Sequence, residues 1–187
     1  MSAGIEHEDL FRQVYAANFE RILVYALRRV AQPEDAADVV AEVFLVAWRR
    51  RDIPPEPETR LWLYGVARRV LANHHRGTLR RERLGDRLRH RLRGGPPVDP
   101  GSQVPDRLAV RSALARLGEL DREVLMLTFW EGLEPREIAT VLRVSPAVVR
   151  TRLSRARTRL REILRDEPEP AGHALDVMAV RIPEEGR

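Results

Sequence analysis

Apolar residues recur three and four positions apart along most of this chain, and no segment alternates with the period of two that a strand requires. Phe11, Val14, Tyr15 and Phe19 begin a stripe that Ile22, Leu23, Ala26, Leu27 and Val30 carry on. That spacing fits one amphipathic helix, or a pair broken near Asn18. Pro33 suits the first position of the next helix, PEDAADVVAEVFLVAWRR, whose early acids favour the positive end of its dipole. The prolines of IPPEPE stop it. Thr59 is placed to cap a further helix, TRLWLYGVARRVLANHHR.

From Leu79 to Arg93 the leucines at 84, 88 and 92 keep helical spacing among arginines, so this run is able to extend the preceding helix. GGPPVDPGSQVP ends it, and its composition reads as a flexible linker at a domain boundary. Beyond it, DRLAVRSALARLGEL and DREVLMLTFWEGL each carry a helical pattern. Two shorter helices follow: PREIATVL, the turn RVS, then PAVVRTRLSRARTRLRE, with Ser145 as cap and Pro146 in the first turn. The predicted fold is all-α, with two small helical domains on a flexible linker and a helix-turn-helix in the C-terminal one. The expected divisions are 7–78, a basic helix extension and linker over 79–104, 105–165, and an acidic, disordered tail over 166–187.

Composition narrows the chemistry. All 33 basic residues are arginine. Without lysine there is neither a Walker A loop nor a Schiff-base amine, and without cysteine no disulfide, thiolate nucleophile or thiolate zinc site. The acidic opening MSAGIEHEDLF does not read as a signal peptide, and no apolar stretch approaches a bilayer span, so the expected location is cytoplasmic, with no membrane insertion. A net charge of +5 points to an anionic partner, and its distribution says more than its size. Arg143 to Arg165 holds eight arginines and one acid, whereas Asp166 to Arg187 holds six acids and two arginines.

A helix-turn-helix places its second helix in the major groove. Ile138, Ala139, Leu142, Val144, Val148, Val149 and Leu153 are expected to lock the pair together, small Ala139 allowing close approach. Arg150, Thr151, Ser154 and Arg155 form a polar face able to reach base edges; Arg152, Arg157, Arg159 and Arg161 are candidates for phosphate contact. A second basic face, Arg69, Asn73 and Arg76, lies opposite Leu63, Val66, Val70 and Leu71 on the helix from Thr59. Trp62 is assigned to the core. Asp35, Asp38 and Glu42 share a face fit to dock a basic partner. Adjacent His74 and His75 diverge on a helix, and no GxSxG or HExxH occurs, so no catalytic residue, metal site or cofactor is expected.

The segments DAADVVAEVFLVAWRR and RLWLYGVARRVLANHHR, then LARLGELDREVLMLTFWEGLEPREIATVLRVSPAVVRTRLSRARTRLRE, together resemble the sigma-70 family of bacterial RNA polymerase initiation factors, in its extracytoplasmic-function class. The resemblance covers roughly residues 7 to 78 and 104 to 165. It implies a protein that catalyses nothing itself and works with core RNA polymerase and promoter DNA, often under an anti-sigma factor. The helix of Asp35, Asp38 and Glu42 would dock on the polymerase; that of Arg69, Asn73 and Arg76 would capture the −10 element. The helix of Arg150, Thr151, Arg152, Ser154, Arg155 and Arg157 would read the −35 element as duplex. Two departures stand out: Glu134 and Pro135 replace the serine that commonly opens the positioning helix, which is expected to weaken its cap, and the loop Asp52 to Glu58 is rich in proline and acids.

Two other functions fit parts of the pattern. A helix-turn-helix regulator would bind its operator without polymerase, and a helical interaction module, such as an anti-sigma antagonist, would bind protein and no DNA. Steep salt dependence separates the DNA-binding readings from the last.

Overall fold

The computed structural model describes residues 2–50, 52–92, 110 and 112–165, with side chains described at 6–50, 52–77, 110 and 112–165. The linker and acidic tail expected from the sequence lie largely outside these residues. Among the described residues every regular element is a helix. The chain divides into two units, 1–97 and 98–187.

In the first unit the opening stripe folds as one unbroken helix, α1 (Ser2–Leu27). No break occurs at Asn18 because its side chain, 1% exposed, is absorbed by the packing. Its Nδ2 donates to the Val14 carbonyl at 3.0 Å and to Glu56 Oε1 at 3.4 Å. Helix α2 (Pro33–Arg49) begins as expected, with Pro33 at the start and Glu34 and Asp35 in the first turn. Helix α3 (Glu58–Leu92) runs through the arginine-rich segment without a break. Val14, Ile22, Tyr25 and Ala26 of α1 meet Val39, Val43 and Ala47 of α2 and Leu63, Tyr64, Val66 and Val70 of α3 in a buried core. Burying each valine, leucine or isoleucine among them contributes about 1.5–3 kcal/mol before entropy is subtracted.

Thr59 does not cap α3. It lies inside the first turn, 1% exposed, and its hydroxyl donates to the Pro54 carbonyl, which ties the proline-rich loop onto the helix. Phe11, Tyr15 and Phe19 are not in the central core either. They gather with Phe44 and Trp48 of α2 in an aromatic cluster whose outer members stay open, Tyr15 at 40% and Trp48 at 43% exposure.

In the second unit a helical turn at 112–115 precedes α4 (Glu119–Phe129), α5 (Pro135–Leu142) and α6 (Pro146–Arg165). The helix expected to continue through GEL breaks at Gly118, and Glu119 starts α4 instead. After α4, Gly132 takes a φ of +66°, open to glycine at no steric cost. That turn lets the Leu133 N–H reach the Leu127 carbonyl at 3.0 Å and buries the Leu133 side chain.

Where the serine would stand, α5 opens on Glu134 and Pro135, and a reciprocal bond from the third residue of the helix holds its first turn. The Glu137 carboxylate accepts from the Glu134 N–H at 2.8 Å, one arm of a capping box, and Pro135 opens the first turn. Arg143 then adopts a left-handed conformation, φ 55° and ψ 47°, and the Val144 N–H bonds back to the Ala139 carbonyl at 3.1 Å. Ser145 caps α6 as expected, its Oγ accepting from the Val148 N–H at 3.3 Å.

Candidate nucleic-acid and docking interfaces

α6 is held on α4 and α5 by Val149, Leu153, Ala156, Leu160, Ile163 and Leu164, all buried. Ile138, Ala139 and Leu142 of α5 are buried as the helix-turn-helix pattern requires, but Val148 is not: it is 40% exposed. One position on a helix is about 100° of rotation, so when Val149 faces the core Val148 turns away from it.

Arg150, Thr151, Ser154 and Arg155 are all exposed and share the outward side of α6. Arg152 and Arg157 lie otherwise. Arg152 Nη1 donates to Asp121 Oδ1 of α4 at 2.9 Å, and the Arg157 guanidinium stands 5.5 Å from the centre of the Phe129 ring. The outward face is therefore a strip of two arginines and two hydroxyls on a helix of groove-compatible diameter, flanked by further arginines at 159 and 161.

On α3, Arg69, Asn73 and Arg76 are exposed together, while Val66, Val70 and Leu71 are buried. Arg69 Nε donates to the Gly65 carbonyl at 3.2 Å, and Arg76 donates to Asn73 Oδ1. The amide nitrogen of Asn73 is thereby aimed away from Arg76, a donor beside two cations. Trp62, assigned to the core by its pattern, is only half-buried, and the Arg50 guanidinium lies 4.9 Å above its ring. Tyr64 is the buried one, 3% exposed against Tyr25.

Asp38 and Glu42 are exposed on α2, but Asp35 is partly withdrawn, its Oδ1 3.2 Å from His74 Nε2 of α3. In its place the outer face of α2 presents Leu45 and Val46, 44% and 37% exposed. Sequence reasoning assigned these to no surface, although the signal was present. Val43 to Trp48 is apolar at six consecutive positions, more than one side of a helix can bury. Among the described residues no cluster of three or more potential metal ligands occurs, and no helix is long and apolar enough to cross a membrane.

Comparison with known proteins matches residues 14–81 to Sigma-70 region 2 and residues 107–160 to Sigma-70, region 4. The chain is similar to the RNA polymerase sigma factor CnrH of Cupriavidus metallidurans, 34% identical over 79% of this chain and 83% of that one. It is also similar to the ECF RNA polymerase sigma factor SigL of Mycobacterium tuberculosis, 29% identical over 88% of this chain and 94% of the relative. Among solved structures, CnrH in complex with the cytosolic domain of CnrY matches with a TM-score of 0.65 at 25% identity, over 89% of this chain and 94% of that one. The sigma factor RpoE of Bartonella quintana, solved with the anti-sigma factor NepR, shares the fold with a TM-score of 0.58 at 21% identity, over 84% and 98% of the two chains.

Proposed function

The chain belongs to the sigma-70 family of RNA polymerase sigma factors, and from that premise we propose that it binds core RNA polymerase and directs it to promoters through their −10 and −35 elements. The observation that carries the proposal is the presence of regions 2 and 4 in one chain, each with an exposed face suited to its task. A helix-turn-helix regulator that works without polymerase has no use for region 2, which argues against that alternative.

The division of labour follows the two units. Residues 7–78 serve the polymerase and the −10 element, and residues 105–165 serve the −35 element. Asp38 and Glu42, with Leu45 and Val46 beside them, offer acids and apolar surface to a basic, partly apolar docking site. Arg69, Asn73 and Arg76 hold backbone phosphates and an unpaired base once the duplex opens. Arg150 and Arg155, with Thr151 and Ser154, reach base edges of the closed −35 duplex. Anchoring at −35 supplies binding energy, and capture of unpaired bases at −10 lowers the free energy of the melted state relative to the closed one. The chain catalyses no reaction itself, and its place of work is the cytoplasm with the polymerase.

The CnrH relative was solved with the cytosolic domain of CnrY, and the RpoE neighbour with the anti-sigma factor NepR. By that likeness an anti-sigma factor is a partner of this chain as well, and the open apolar residues of α1 and α2 are the surface it would cover.

Reconstitution tests the proposal. The purified chain is added to core polymerase on a library of promoter fragments, and transcript starts are read. Initiation from a discrete set of start sites, absent without the chain, is the expected result. No association with core, or no start sites gained, would refute it.

A further inference from the structure

Two arginines of the reading helix make contacts within their own domain. The buried stripe of α6 runs through Val149, Leu153, Ala156 and Leu160. At about 100° per residue, Arg152 falls on one edge of that stripe and Arg157 on the other. Both reach back to the same neighbour. Arg152 bonds Asp121 in the first turn of α4 at 2.9 Å, and Arg157 lies over Phe129 in its last turn, 5.5 Å from the ring centre, with its Nε buried. Asp121 also sits where the positive end of the α4 dipole favours an acid.

We propose that Arg152 and Arg157 are positioning residues, which with Asp121 and Phe129 form two clasps that fix the roll of α6 about its own axis and so the direction in which Arg150, Thr151, Ser154 and Arg155 point. The apolar stripe sets which side of α6 turns inward, but burial is non-directional and constrains a small rotation about the axis less sharply than directional contacts do. An ion pair and a cation–ring contact are directional. Placed on opposite edges of the stripe, one clasp lengthens whichever way the helix rolls. At a helix radius of about 5–6 Å, a roll of about 20° carries a side-chain tip sideways by about 2 Å. A hydrogen bond to a base edge does not survive that displacement. An ion pair as open as this one, with Arg152 41% and Asp121 25% exposed, adds little to folding stability, so its consequence lies in aim.

The inference rests on the proposal that α6 reads the −35 duplex. Its test uses the full chain assembled with core polymerase, binding a promoter duplex that carries the −35 element, titrated against salt. Asp121→Asn removes an acid from a DNA-binding domain, so charge alone predicts tighter binding. The clasp predicts the opposite: a loss on the order of tenfold, the worth of one good base contact, with the slope of log K against log salt unchanged. Arg152→Met should cost about as much, and combining the two should cost little more than either alone. Phe129→Leu, which keeps apolar bulk but removes the ring face, should lose affinity in the same direction.

Binding that is unchanged or tighter in Asp121→Asn overturns the proposal. So does a slope reduced by about 0.9 in Arg152→Met, the mark of one lost phosphate contact. Thermal unfolding identifies any variant that fails to fold. In that case the charge-exchanged pair Asp121→Arg with Arg152→Asp decides, since it must bind more tightly than Asp121→Arg alone and absence of recovery overturns the clasp. If the wild-type holoenzyme itself ignores the −35 sequence, the promoter reading fails and takes this inference with it; failure in the variants alone touches only the clasps.

Discussion

Asp35 Oδ1 lies 3.2 Å from His74 Nε2, tying the first turn of α2 to the helix that carries Asn73 and Arg76. The pair is partly shielded, with 34% of the Asp35 side chain and 18% of the His74 side chain exposed. Asp35 shares a helical face with Asp38 and Glu42 by spacing, yet its carboxylate is spent within the fold. The acid surface left for a partner is therefore Asp38 and Glu42, bordered by Leu45 and Val46.

From this separation it follows that Asp35→Asn should lower the stability of the first domain while sparing polymerase association. The expected cost is about 1 kcal/mol or less, combining a partly exposed pair with a favourable place in the first turn of α2. Thermal unfolding reads the first effect and a competition assay with core polymerase reads the second. A collapse of association in a folded Asp35→Asn protein would return Asp35 to the docking face.

Charge reversal at Asp38 and Glu42 together should do the converse. Replacing both by Arg sets like charges against the proposed basic docking site, and association should weaken by at least about tenfold, with added salt relieving part of the loss instead of deepening it. Leu45→Ser, in the same surface, should weaken association by about tenfold or more if the leucine is buried on docking. Unfolding midpoints near wild type are expected for all three changes, since each side chain is open to solvent.

At the other end of the chain, Arg155→Glu should remove −35-dependent transcription and leave polymerase association near normal. The substitution deletes a cation from the outward face of α6 and sets an anion against DNA, so a loss of roughly 10²-fold in promoter affinity is expected. Run-off transcription on promoters with and without the −35 element reads it. Loss of polymerase association along with promoter binding would contradict the division of tasks between the two domains.

These candidate faces were legible in the sequence to different depths for identifiable reasons. Helical periodicity located α2, α5 and α6 closely, because Pro33, Pro135 and Pro146 mark their starts and each core stripe is regular. The outward quartet of α6 and the exposed trio of α3 followed from the same regularity. Residues at the edges of a stripe did not. Arg152 and Arg157 can turn either way from their positions, and what turns them inward is Asp121 and Phe129, remote in sequence. Asp35 is similar, since its partner His74 belongs to another helix. Trp62 and Tyr64 were separated only by packing: Tyr25 claims the tyrosine, and Arg50 covers the tryptophan. Periodicity names a face, but it cannot say which long side chain at its margin a distant neighbour will claim.

The last prediction concerns the turn that joins α5 to α6. Arg143 is the only described residue other than glycine with a positive φ, 55°, and its side chain is exposed. For a residue with a Cβ the left-handed conformation costs about 1–2 kcal/mol, whereas glycine adopts it freely. Glycine also has more conformational freedom to lose on folding, which offsets part of that gain. Arg143→Gly should therefore stabilise the second domain by about 1 kcal/mol or less, raising its unfolding midpoint by up to about 4–8 °C for a unit of this size. The backbone bond from Val144 to the Ala139 carbonyl is kept, so the angle between the two helices should not change. Promoter affinity then separates two roles for the arginine. An unchanged salt slope would make it a turn residue alone, and a slope reduced by about 0.9 would show that its guanidinium holds a phosphate. A lower midpoint in Arg143→Gly would mean that the arginine side chain stabilises the turn by more than its backbone strain costs.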